Sequence, residues 1–300
     1  VALRLSILYR GPLSSCNYGC DYCPFAKRRE TARELAEDRR ALARFVDWVV
    51  DRPPGDRIAI LFTPWGEALN RRWYREALVR LSHRPVVERV AIQTNLSAPL
   101  DWVEAADSSR LAFWATFHPS EVERGRFLDR CRDLDRLGFK YSVGMVGLRE
   151  HRLEAETLRQ ELAPEVYLWI NAYKRLPGYY HEDDIQHFEA IDPLFPVNNR
   201  RHPSLGRPCR AGRQVVSVDG TGTIRRCHFI PEPIGNLYEP GFEAALVERN
   251  CTNASCGCHI GYVHLDHLEL GRVFGPGILE RIPERPVWRA DAEQAGRVSS

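Results

Sequence analysis

Cys16-Asn17-Tyr18-Gly19-Cys20-Asp21-Tyr22-Cys23 stands in the loop that follows the first alternating apolar run of the chain, residues 3–9. Three thiols on one short loop can ligate three irons of a [4Fe-4S] cube and leave the fourth iron open to a substrate or cofactor. A zinc ion completed by a distant fourth ligand is the other reading this spacing allows. The place of the loop also matters, because parallel-sheet enzymes gather their sites at the C-terminal ends of their strands.

Outward from this loop, short β-branched or apolar runs alternate with longer charged, amphipathic stretches as far as Asn171. Candidate strands lie at 3–9, 57–62, 88–94, 111–117, 139–146 and 166–172, and candidate helices at 31–50, 71–82, 100–106, 120–137 and 150–162. Each helical stretch offers an apolar stripe to a sheet. Repeated βα units with right-handed crossovers give a parallel sheet that curls into an open barrel. The expected class is α/β: a partial (β/α)6 TIM-like barrel over residues 1–175, followed by a small C-terminal cysteine-rich unit of β-hairpin and helix at 206–265.

Residues 176–205 connect the two, with one helical candidate at 183–190. A connection of this length is expected to cover or line a site. Its Tyr179, Tyr180, His181, Asp183, Asn198, Asn199, Arg200, Arg201, His202 and Ser204 are candidate contacts for a polar, anionic small molecule. The hairpin is expected at 214–218 and 223–226 around an Asp219-Gly220-Thr221-Gly222 turn. Residues 266–300 read as a C-terminal tail, frayed over 290–300.

Cys16 to Cys23 matches the CxxxCxΦC signature of the radical S-adenosylmethionine (SAM) superfamily, with Tyr22 at the aromatic position, and the chain resembles that family from Leu3 to Asn171. Pro64-Trp65-Gly66-Glu67-Ala68-Leu69 resembles its GGEP motif, which receives the SAM amino group. Trp65 and Ala68 depart from that motif, so Gly66 and Glu67 are the residues carried over. Without the resemblance, a Gly-Glu pair is simply a turn. Val143 to Glu150 resembles the GxIxGxxE adenine-side motif, with Val143 in place of its first Gly, which implies SAM contacts at Val143, Met145 and Gly147. Asn95 after the third strand, Thr116 (in Thr116-Phe117-His118) after the fourth and Asn171 ending the sixth are expected on the rim, toward SAM ribose and substrate.

The resemblance implies a [4Fe-4S] cluster with one open iron on Cys16, Cys20 and Cys23. Reduced by flavodoxin or ferredoxin, it would cleave SAM to methionine and a 5'-deoxyadenosyl radical. That radical would remove hydrogen from a small polar substrate in an oxidation or rearrangement. No catalytic side chain is assigned.

A second group, Cys209, Cys227, Cys251, Cys256 and Cys258, falls near the C-terminus. Cys209-x12-Gly222-x4-Cys227 resembles the opening of the Twitch and SPASM extensions of radical SAM enzymes, while Cys251-x4-Cys256-x-Cys258 departs from the fuller SPASM pattern. The resemblance implies one auxiliary [4Fe-4S] cluster on Cys209 and Cys227 with one or two of the last three thiols. A zinc site using four of these cysteines, or His228 or His259, remains the alternative. Cys131 lies in the helical stretch 126–137 and reads as a small buried helix residue.

The bulk properties agree with a folded enzyme: 300 residues, 44% hydrophobic, with 42 basic and 40 acidic side chains interspersed. This balance gives no field to recruit nucleic acid. No apolar run reaches the roughly 20 residues of a membrane span, and the start reads as a strand rather than a signal peptide. Nine cysteines grouped as metal sites point to a reducing, cytoplasmic compartment. Two other functions compete. A maturase of a ribosomally made peptide would need a separate leader-binding protein, since the barrel is expected to begin at Leu3. A non-catalytic iron-sulfur carrier or zinc scaffold would leave Gly66, Glu67 and the barrel unexplained.

Overall fold

The structure is a computed structural model that describes residues 2–25 and 28–284. β1 (Arg4–Arg10), β2 (Arg57–Phe62), β3 (Val87–Thr94), β4 (Leu111–Thr116), β5 (Lys140–Gly147) and β6 (Leu168–Ala172) pair in parallel and in chain order, as expected. α1 (Ala32–Val50), α2 (Arg72–Ser82), α3 (Arg124–Arg136) and α4 (Arg152–Glu161) cover the outer face. The expected helix at 100–106 is a 3-10 segment, Asp101–Ala105, its length suiting the tighter turn. α1 starts in a capping box in which Thr31 and Glu34 satisfy each other's backbone N–H groups.

Strand residues alternate between two apolar layers. Ile7, Ile60, Val90, Phe113 and Ile170 face the helices, while Leu8, Leu61, Ala91, Trp114 and Trp169 face the barrel interior. Cys131, on α3, is buried in the outer layer, as expected.

Two expectations about the C-terminal part are corrected. After α5 (Glu182–Ile191), α6 (Phe195–Asn198) and β7 (His202–Pro203), the hairpin does not form a unit of its own. β8 (Val215–Asp219) pairs in parallel with β1, and β9 (Thr223–Arg225) and β10 (Pro233–Asn236) extend the sheet antiparallel, making nine strands. An open barrel leaves the β1 edge unpaired, and a strand from later in the chain satisfies it.

The second correction concerns the tail. β11 (Ser255–Cys256) pairs with β7, and the chain then enters the barrel through α7 (His259–Tyr262) and α8 (Gly271–Phe274). Ile260, Tyr262, Leu265, Leu270, Phe274 and Leu279 pack against the inner layer. Residues 266–284 are thus an internal plug, because a half-closed barrel must bury its apolar inner face. The expected fraying at 290–300 lies outside the described residues.

Candidate active site

Acidic side chains position the cysteine loop. Asp38 of α1 accepts hydrogen bonds from Leu13 N at 3.1 Å, Trp73 Nε1 at 2.8 Å and Tyr74 Oη at 3.1 Å. Glu30 accepts from Ser15 N at 2.6 Å and from Ser14 N. Backbone amides that no strand can pair are thereby satisfied immediately before Cys16. Cys16, Cys20 and Cys23 all line a cavity of about 590 Å³ at the C-terminal ends of the strands, and none forms a disulfide. Cys16 Sγ accepts from Tyr18 N at 3.4 Å and from Asn95 Nδ2 at 3.7 Å. His118 Nδ1 lies 3.4 Å from Cys20 Sγ and 2.8 Å from Tyr22 Oη. Burial lowers the His118 pKa to about 4, so the ring is neutral and acts as a hydrogen-bonding partner rather than a charge.

The second wall is built on Gly66 and Glu67. Trp65 N donates to Leu13 O at 3.3 Å and Glu67 N to Ser15 O at 3.0 Å, so this segment runs against the cysteine loop backbone to backbone. A Cβ on Gly66 would lie 1.8 Å from Ser15 O, which explains the glycine without any ligand. The Glu67 carboxylate is buried and accepts from Thr94 Oγ1 at 2.8 Å, Leu69 N at 3.0 Å and Asn95 N at 2.6 Å. Burial raises its pKa to about 7 against the pull of these donors. Tyr22, Gly66, Glu67, Asn95, Thr116 and Asn171 line the cavity together.

Three expected SAM contacts do not reach this cavity. Val143 and Met145 are fully buried in the outer, helix-facing layer, and Gly147 has the same strand parity, its carbonyl accepting from Tyr180 Oη at 2.6 Å. Strand alternation instead gives the cavity Val146. Gly144 permits the Trp169 ring to lie against β5, since a Cβ there would meet the ring at 2.1 Å.

The ten polar residues of 176–205 are also absent from the cavity lining. Several of them satisfy internal backbone groups. Tyr180 Oη accepts from Tyr173 N, Asn198 Oδ1 accepts from Ala172 N, and Ser204 Oγ donates to Asn253 O. His202 contacts Val197 O, and Asp183 pairs with Arg152. The segment just before them, Asn171 to Arg175, lines the cavity instead. Arg10, Trp114, Trp169 and Arg281 also line it, and no local sequence pattern marks them.

The five later thiols divide. Burial, and then the charges of Cys209 and Cys251, push the Cys227 thiol up to about 11; burial, and then Cys227, push Cys256 up to about 12. Cys227 thus neighbours Cys209 and Cys251, and Cys256 neighbours Cys227, Cys258 and Cys251; of the five, Cys209, Cys227, Cys251 and Cys256 lie outside the cavity lining. Cys258 lines the cavity itself, so the exposure of its side chain is to that chamber. It feels the charges of Lys174, Arg10 and Arg281, and its own charge acts on Cys256.

Of the two histidines considered for zinc, His228 has both ring nitrogens engaged, whereas His259 lines the cavity with Nε2 buried and without a hydrogen-bond partner. The ring nitrogens of His228 meet Thr63 Oγ1 at 2.9 Å and Ser217 Oγ, and His259 is enclosed by Trp114, Tyr262 and Phe274. Among the described residues, no three His, Cys, Asp or Glu side chains are grouped so as to hold a single metal ion.

No protein-family model and no curated protein matches the chain. Solved structures do. Native anSMEcpe with bound AdoMet (SAM) and Cp18Cys peptide superposes with a TM-score of 0.52 at 13% identity, covering 81% of this chain and 82% of that one. A hexahistidine-tagged anSMEcpe with bound AdoMet gives 0.52 at 12% identity, covering 81% and 80%. BtrN in complex with AdoMet and 2-DOIA gives 0.41 at 16% identity, covering 88% and 100%, and the fold assignment rests on the other two. The chain has the radical SAM fold, a partial parallel barrel whose C-terminal segment joins its sheet and fills its interior.

Proposed function

We propose that this chain is a radical SAM enzyme acting on a small polar substrate by oxidation or rearrangement. The observation that carries the reading is the convergence of Cys16, Cys20 and Cys23 with Gly66, Glu67 and Asn95 on one cavity. Three thiols on one short loop suit an iron-sulfur cube with one open iron. When bound, the [4Fe-4S] cluster and SAM supply a hydrogen-abstracting 5'-deoxyadenosyl radical by one-electron cleavage of SAM. The chain's residues orient and shield. Glu67 offers its remaining lone pairs to the SAM ammonium, Asn95 fixes the Cys16 side of the loop, and Trp114 and Trp169 close the chamber floor against water. Reduced flavodoxin or ferredoxin is the proposed electron donor. The reconstituted, dithionite-reduced protein is expected to form 5'-deoxyadenosine from SAM, and iron-loaded protein that forms none would remove the proposal.

Glu67 makes the SAM step pH-dependent. Only its ionised form pairs with an ammonium, and burial raises its pKa to about 7. SAM affinity is therefore expected to rise as pH increases from about 6 to about 8 and to level off above that range, whereas Glu67→Gln binds weakly and without this dependence. Calorimetric titration across the range checks it; a flat profile for the unmodified protein contradicts the assignment.

Cys209, Cys227, Cys251 and Cys256 are proposed to hold an auxiliary [4Fe-4S] cluster, with Cys258 outside it. In support, Cys227 feels the charges of Cys209 and Cys251 and Cys256 feels those of Cys227 and Cys251, while Cys258 lines the cavity. Two cubes give roughly eight irons per chain. Cys256→Ala is expected to drop the count to about four, while Cys258→Ala keeps about eight. The opposite result in an iron assay exchanges their roles.

A peptide substrate is the second reading, supported by the peptide bound to anSMEcpe, which has the same fold. Deuterium transfer into 5'-deoxyadenosine from labelled candidate substrates separates the two readings.

A further inference from the structure

Arg281 is a buried cation that the proposed SAM chemistry does not use. Its residue is 2% exposed, yet it lines the cavity. Its guanidinium carbon lies 4.4 Å from the Trp169 ring centre and 5.7 Å from that of Trp114. Nε is buried without a hydrogen-bond partner, and among the described residues the side chain has no ion pair. Asp192, the acid whose charge it feels, already accepts from Tyr167 Oη at 2.6 Å, Ile170 N at 2.8 Å and Leu194 N at 3.0 Å. The backbone at Arg281 has φ +55, a left-handed conformation that non-glycine residues rarely adopt and that holds this side chain where it is.

Arg281 is not alone. Lys174 and Arg10 share Cys258 with it as a charged neighbour, so the three cations converge on one end of the chamber. Lys174 is held by the carbonyls of Asn198 and Gly257, and Arg10 by Thr63 O at 2.8 Å. Among the described residues the chamber's one carboxylate, Glu67, is turned toward Thr94 and Asn95. SAM carries a net positive charge, so its single carboxylate cannot balance all three cations. A buried guanidinium without a counter-ion is costly unless a ligand supplies one.

We propose that Arg281, with Lys174 and Arg10 beside it, is an oxyanion-binding subsite, and that the substrate carries a carboxylate or phosphate held there while its reacting carbon faces the Cys16–Cys23 loop. The planar fork of arginine suits either anion through two parallel hydrogen bonds. The inference rests on reading this cavity as the SAM and substrate chamber, but its test does not require turnover.

Inorganic phosphate and acetate are titrated calorimetrically into the reconstituted, SAM-loaded protein at constant ionic strength set with chloride. Saturable binding of at least one is expected, and whichever binds more tightly identifies the anion class. Arg281→Gln should weaken that binding about tenfold or more. SAM affinity is measured on the same variants. Loss of SAM affinity with unchanged anion binding would assign the guanidinium to the SAM carboxylate and overturn the proposal. A shifted auxiliary-cluster potential with unchanged anion binding would overturn it too, as would the absence of saturable anion binding in the unmodified protein. If Arg281→Gln does not fold by circular dichroism, Arg281→Lys keeps the charge and loses the fork; unchanged phosphate and acetate affinity in that variant also overturns the proposal. Failure of SAM cleavage with anion binding intact would count against the radical SAM reading and leave the subsite standing.

Discussion

Cys16→Ala is expected to reduce 5'-deoxyadenosine formation to background while the protein keeps roughly half of its iron. The asymmetry follows from the two cysteine groups lying apart. Cys16 belongs to the loop braced by Asp38 and Glu30, whereas Cys209, Cys227, Cys251 and Cys256 lie outside the cavity that the loop faces. Burial raises the Cys16 thiol above its ordinary value, so a bound metal's charge, rather than the protein's own field, must stabilise the thiolate. Neither Glu67 nor His118 replaces it: three donors turn Glu67 toward Thr94, Leu69 and Asn95 and its remaining lone pairs are proposed to serve the SAM ammonium, and His118 contacts Cys20 and Tyr22. Iron content and 5'-deoxyadenosine measured on the same preparation decide the matter. Normal SAM cleavage by the alanine variant would refute the ligand assignment, and loss of nearly all iron would show that the two groups are not independent.

What can be read in the sequence is local. Strand runs such as 57–62 and the spacing from Cys16 to Cys23 carry their own periodicity, and both fall where expected. The adenine-side resemblance points to Val143 and Met145, one residue out of phase with the cavity. Strand parity is fixed by what packs across the sheet, here the Trp169 ring over Gly144. The polar stretch 176–205 is legible as polar but not as inward-bonded, since no pattern shows that Asn198 caps Ala172 N. Pairing of β8 with β1, and entry of Arg281 into the chamber, join segments from opposite ends of the chain. Nothing in the glycine- and proline-rich stretch around Gly275, Pro276 and Gly277 announces a barrel plug; the unfilled inner face of the sheet demands it.

Gly66→Ala is expected to damage both stability and SAM cleavage, although it adds a single methyl group. That carbon would lie 1.8 Å from Ser15 O and 2.3 Å from Ser15 C, backbone atoms that no side-chain rotation can move aside. Relief requires the 64–67 segment and the cysteine loop to separate, which breaks the bonds from Trp65 N to Leu13 O and from Glu67 N to Ser15 O. Two backbone hydrogen bonds at about 1 kcal/mol each, plus residual strain, give roughly 2–4 kcal/mol. For a chain of this size that is a fall in Tm of roughly 3–6 °C. Ser15 adjoins Cys16 and Glu67 adjoins Gly66, so the same separation pulls a proposed cluster ligand away from the proposed ammonium acceptor. Cleavage should therefore fall further than the stability loss alone explains, even at temperatures where the variant is folded. Gly125→Ala in α3 is the control, because a Cβ there meets nothing within 4 Å and alanine favours the helix. A Gly66→Ala protein with the Tm and the 5'-deoxyadenosine yield of the Gly125→Ala control would show that the two segments are not in the contact on which this geometry depends.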